Sequence, residues 1–136
     1  MSRTHDGLAA GAVAAIVSGL PSTVHALAAG RDPLEATLAA GSILLPNATR
    51  RLHLFLAAAP VHLSISLGWG LVLARVLPRR PSVASGAVAG LAIAALDLGV
   101  IGRRFPRIRA LPLVPQLADH IVFGATVAAV LARRQA

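Results

Sequence analysis

The stretch "LHLFLAAAPVHLSISLGWGLVLARVL", Leu52 to Leu77, decides the fold class. From Leu52 to Ala74 it holds no Arg, Lys, Asp or Glu. A helix needs about 20 such residues to cross the hydrocarbon core of a bilayer. A helix that is apolar all round has no place on the surface of a soluble domain. The runs from Gly7 to Ala29, Ser82 to Gly102 and Leu111 to Ala132 are of the same kind. The expectation is an all-α integral membrane protein, one transmembrane domain over residues 1–136, built as a four-transmembrane-helix bundle with spans at 7–29, 52–77, 82–102 and 111–132.

Composition agrees. Of 136 residues, 56% are hydrophobic and 13% charged, and the mean hydropathy is +0.73, far from the balance of a soluble domain. The first run carries Pro21 and is read as a span with a kink. A cleaved signal peptide is its rival, since Val24-His25-Ala26 resembles a small-residue cleavage site, but "MSRTHD" makes a weak basic leader. In "RDPLEATLAAGSILLP", Asp32 is placed as N-cap, Pro33 at the first helical position and Glu35 three residues after the cap. The apolar part is too short to span, so 33–45 is expected to form a short interfacial or re-entrant helix.

The positive charge is arginine alone: 13 basic residues against 5 acidic, a formal net charge of +8. The arginines stand in short clusters at span ends, and the chain has only three Phe and one Trp, so there is no stacking platform for nucleic acid. Membrane lipids are the expected partners, with Arg103, Arg104, Arg107 and Arg109 in "RRFPRIRALP" forming a loop at headgroup level. With four spans, six arginines lie on the side of the termini and seven on the other, so the positive-inside rule does not decide the orientation. The location expected is the plasma membrane, as a multi-pass protein. The chain has no cysteine, so disulfides, thiolate chemistry and cysteine-based metal sites are excluded.

"GAVAA" at Gly11 and "GAVAG" at Gly86 open spans one and three alike, 75 residues apart. His62 and His120 each stand 13 residues before the Arg of a "VLAR", 58 residues apart. These landmarks point to a duplicated helical hairpin, with the short helix inserted in the first half. Gly7 with Gly11 and Gly86 with Gly90 make G-xxx-G pairs that allow close helix approach, inside the bundle or in a homo-oligomer or larger membrane complex.

Depth organises the polar residues. Measured from the side of the connections between spans one and two and between three and four, His25, His62, Asp97, Asp119 and His120 lie roughly 6 to 15 Å below one surface at about 1.5 Å per residue. Gln116 and Ser66, each four residues from a histidine on its own helix, join them. Asp119 and His120 are successive, about 100° apart on a helix, so they address different neighbours. Ionisable residues at such depth are costly unless partnered and mark pathways for protons, ions or solutes. The expected function is binding or transport of a proton, ion or small solute through this pocket, or service as a membrane partner subunit. A purely structural cluster is the alternative. His62 and His120 on two helices also have the arrangement of a bis-His haem or a divalent-metal site, although no cofactor is the first expectation. No H-E-x-x-H, G-x-S-x-G or Gly-rich phosphate loop is present, so no catalytic residue is assigned and an enzyme is not expected.

Overall fold

The computed structural model of the chain describes residues 2–136 and contains no strand among them. Helix α1 runs Arg3–Val17, α2 Leu20–Ala28, α3 Glu35–Leu44, α4 Arg51–Val76, α5 Val83–Leu96, α6 Pro106–Arg109 and α7 Leu113–Arg134. A π-helical turn, Asp97–Ile101, and a 3-10 turn, Gly102–Arg104, prolong α5. Four segments are long and apolar enough to cross a membrane: Arg3–Ala28, which joins α1 and α2, then Arg51–Val76, Val83–Arg104 and Leu113–Arg134.

The first of these differs from the sequence expectation at both its start and its middle. It begins at Arg3 instead of Gly7 because Ser2 caps it, accepting the His5 amide at 3.3 Å. It then breaks, where the sequence predicts only a kink. Pro21 offers no N–H to the carbonyl four residues back, and its ring crowds that carbonyl; the residue concerned is Val17, the last of α1. Pro60 sits inside α4 without breaking it. The neighbours make the difference. Around Pro21, the Gly19 carbonyl accepts the Thr23 amide at 3.1 Å, the Thr23 hydroxyl at 2.8 Å and the Ser22 hydroxyl at 3.2 Å, which starts a new helix. Around Pro60 the same places hold Ala58, Val61 and His62.

The short helix starts at Glu35, two residues later than Asp32 as N-cap implies. The capping box fails because Glu35 turns to Arg31, whose Nε lies 3.0 Å from both of its oxygens. Asp32 instead accepts the Leu34 amide at 2.9 Å and pairs with Arg51 at the start of α4. The Arg51 guanidinium, and after it the Leu34 amide, hold the Asp32 carboxyl below the usual carboxylate range. This exposed pairing is in force above the ordinary carboxylate pKa and is lost as pH falls through the lowered value. The basic stretch expected as a plain loop is ordered too, as the 3-10 turn and the one-turn α6, with Pro106 at a position where no N–H is needed.

Packing follows the glycines. Helix α1 lies on α4, α5 lies on α7, and α1 and α7 join the two hairpins, while α4 and α7 scarcely meet. A Cβ on Gly7 would stand 2.9 Å from the Ala74 Cβ, and one on Gly11 3.2 Å from the Leu67 Cα. A Cβ on Gly86 would stand 2.9 Å from the Gly124 carbonyl carbon, and one on Gly90 2.8 Å from that of His120. These are closer than real Cβ contacts, so only glycine allows the crossings. Gly11 opposes Ser66, and Gly86 opposes Gly124; each pair is related to the other by the offsets of 75 and 58 residues seen in the sequence. All four expected G-xxx-G glycines are therefore occupied within the chain.

Towards the termini the interior is dry, with Ala10, Ala14, Leu73, Ala74, Ile93, Phe123, Val127, Ala128 and Leu131 packed together. Asp6 closes this end at 2% exposure, with Arg134 Nε 2.9 Å from its Oδ1. Arg134 also lies 3.1 Å from His5 Nδ1, and Arg3 donates to the Leu77 carbonyl at 2.8 Å.

Two outcomes test this account. Gly124→Ala pushes a methyl onto the backbone of α5 and should lower stability by roughly 1–3 kcal/mol, whereas Gly68→Ala, with nothing within 4 Å, should be neutral or slightly stabilising. Thermal unfolding of the protein in mild detergent reads both. In the same assay Asp6→Ala should cost up to about 3 kcal/mol, because it strips a buried carboxylate from its arginine.

Candidate functional site

The break in the first long helical segment leaves backbone groups that need partners. The last carbonyls of α1 and the first amides of α2 have no helical bonds of their own. Two side chains from other helices supply them. His62, on α4, stands with Nε2 2.8 Å from the Ala15 carbonyl. Asp119, on α7, accepts the Ser22 amide on Oδ1 at 2.8 Å, which makes it an N-cap for α2 delivered from a distant part of the chain and sets its charge at the positive end of that helix. Because a carbonyl oxygen only accepts, Nε2 of His62 carries a hydrogen there.

The second irregularity, the π turn after α5, places Asp97. Trp69 on α4 donates its indole N–H to Asp97 Oδ2 at 3.2 Å. His120 Nε2 on α7 lies 3.5 Å from the same oxygen, and the two side chains are only 20% and 19% exposed. His120 Nδ1 is 2.8 Å from the Gln116 carbonyl, so Nδ1 carries a hydrogen by the same rule. Nε2 and Oδ2 then face each other within reach of one further proton. With it on the imidazole they are an ion pair; with it on the carboxyl they are a neutral pair. Asp97 thus ties α4, the end of α5 and α7 together, where α4 and α7 have few contacts of their own.

Between the two irregular segments lies a cavity of about 880 Å³, walled by the α1–α2 break, α3, α4, the π turn and α7. His62, Ser66, Asp97, Gln116, Asp119 and His120 all line it, so six of the seven residues singled out from sequence meet around one space. His25 does not. It is exposed, because the buried stripe of α2 is set by Ser22 and Ala26 and His25 falls off it. The sequential pair behaves as helix geometry requires, with Asp119 turned to α2 and His120 to Asp97. Trp69 escapes the sequence reading as a polar partner, though its signal is present: positions 62, 66 and 69 fall on one face of α4. Asp6 with Arg134 escapes it as well, since the two are 128 residues apart.

Among the described residues no three His, Cys, Asp or Glu side chains converge as a metal site. A bis-His arrangement through Nε2 would require His62 to leave Ala15 and His120 to leave Asp97. Arg103, Arg104, Arg107 and Arg109 are exposed around α6, outside the cavity. Comparison with known proteins gives no match to any family model, to any curated protein or to any solved structure.

Proposed function

We propose that the chain is a multi-pass protein of the plasma membrane, a duplicated helical hairpin whose cavity binds and passes a proton together with a small solute. The observation that carries this reading is the contact of Trp69, Asp97 and His120 beside the cavity: a carboxyl and an imidazole of different helices, 3.5 Å apart at a π turn. A proton that can sit on either partner can be handed on by a small movement of either helix. Broken helices and π turns are the irregularities that membrane carriers place at their binding sites, where backbone is satisfied by neighbouring side chains instead of by the helix itself. The segment Arg3–Ala28 fits that pattern, broken at Ser18 and Gly19 and capped from both sides. The exposed arginines around α6 fit contact with anionic headgroups.

The test is proton flux into liposomes holding the purified protein and a pH-sensitive dye, under an imposed pH gradient. Wild-type protein should dissipate the gradient faster than empty liposomes, and His120→Gln or Asp97→Asn should slow that dissipation at least tenfold, with Asp32→Asn unchanged as a control outside the cavity. Equal rates for wild type, both variants and empty liposomes would leave the cluster a packing device. The lipid contact has its own measurement. Replacing Arg103, Arg104, Arg107 and Arg109 together by Gln should reduce the anionic lipid that co-purifies, at about 1 kcal/mol per arginine near the surface.

A further inference from the structure

The mouth of the cavity is built from a different chemistry than its floor. Where it opens, the wall carries Ile16, Leu20, Phe55, Ile65 and Val72, all large, apolar and exposed. On a protein set in a bilayer such a rim faces hydrocarbon, not water. A ligand that enters here is one that already partitions into the membrane. Further in stand two part-buried carboxylates, Asp97 and Asp119, and the part-buried imidazole of His120, with the exposed His62 beside them. None of the arginines that give this chain its net charge of +8 lines the cavity. The cavity is therefore segregated from the basic surface and keeps the acidic residues of the span interiors.

The two carboxylates are not equivalent. Asp97 is engaged by both Trp69 and His120. Asp119 is held by Ser22, through its amide on Oδ1 and through its side chain, and has no arginine among its partners in the described residues. Beside it on α4 stands His62, whose Nε2 is taken by the Ala15 carbonyl. With no arginine in the wall, the carboxyl of Asp119 makes a complement for a cation or a donor, and a poor one for an anion. The volume, about 880 Å³, is that of pockets that enclose a drug-sized organic molecule. From this we infer that the cavity is a binding site for a hydrophobic monocation, such as a protonated amine with an apolar body, which enters from the membrane and sets its charge against Asp119. The inference rests on the reading of the cavity as a carrier site and adds the class of its solute.

The experiment pairs two probes of nearly equal size and apolarity but opposite charge, tetraphenylphosphonium and tetraphenylborate, titrated against the full chain in neutral detergent with tritiated or fluorescence-displacement readout. The phosphonium should bind saturably and the borate at least tenfold more weakly. Asp119→Asn keeps an oxygen for the Ser22 amide and removes the charge. It should weaken phosphonium binding at least tenfold while the unfolding temperature stays within a few degrees of wild type, and Asp32→Asn should bind as wild type. Equal binding of both probes, or phosphonium binding unchanged in Asp119→Asn, would overturn the assignment. The liposome assay keeps the two ideas apart. Proton flux that depends on His120 with no phosphonium binding would reject the hydrophobic-cation site and retain the proton path; saturable, Asp119-dependent phosphonium binding with no proton flux would retain the site and reject the path.

Discussion

One missing hydrogen explains most of what is distinctive in this molecule. Pro21 has no N–H, so the carbonyls before it and the amides after it cannot all be satisfied within one helix. Unsatisfied backbone in an apolar interior costs several kcal/mol per group, and the fold answers by bringing His62 to the Ala15 carbonyl and Asp119 to the Ser22 amide. Two residues that look out of place in apolar helices are thus bound to a third segment by the requirement that every buried polar group have a partner. The same requirement holds them at one level of the bundle, and the space they enclose is the cavity.

Around that constraint the two hairpins are built alike and finished differently. Gly11 on Ser66 and Gly86 on Gly124 set the same close crossing in each. Beyond the crossing, each hairpin places a histidine from its second helix near its first: His62 reaches the Ala15 carbonyl, and the backbone of His120 abuts Gly90. The first helix then breaks at Ser18 and Gly19, whereas its counterpart passes into the π turn that presents Asp97. Near-symmetry in the dry half and asymmetry in the polar half give a rigid frame for a variable site. Helix α3 belongs to the asymmetric half as well, for it packs on α4 and forms a wall of the cavity that the second hairpin has no equivalent for.

The helices are legible in the sequence because length and absence of charge are properties of a single segment. Leu52 to Ala74 needs no partner to be read as long and apolar, and the structure places α4 at Arg51–Val76. The gathering of His62, Asp97, Asp119 and His120 is legible for a related reason: distance along a straight helix is depth, and equal depths on packed helices bring residues close. What depth does not contain is azimuth. His25 has the right depth and the wrong face, because the break at Gly19 lets α2 restart with its own buried stripe of Ser22 and Ala26. The start of α3 departs from its local pattern because of Arg31 and Arg51, which draw Glu35 and Asp32 away from capping. The partnership of Asp6 with Arg134 joins the two ends of the chain, and no local pattern announces it.

The distribution of charge then acquires a physical sense. A chain with five acidic residues and net charge +8 keeps one acid at each end of the bundle as a counter-ion to arginine, in Asp6 with Arg134 and Asp32 with Arg51, and holds Glu35 on Arg31. Only Asp97 and Asp119 have no arginine. They are given instead weaker and more easily exchanged partners: an indole N–H, an imidazole and a backbone amide. A carboxylate locked to a guanidinium cannot trade its partner for a proton or a ligand without leaving the charged guanidinium unpaired. One held by an imidazole or by neutral donors can, because a proton on the imidazole moves and a neutral donor leaves no charge behind. The two acids that lack arginine are the two that line the cavity.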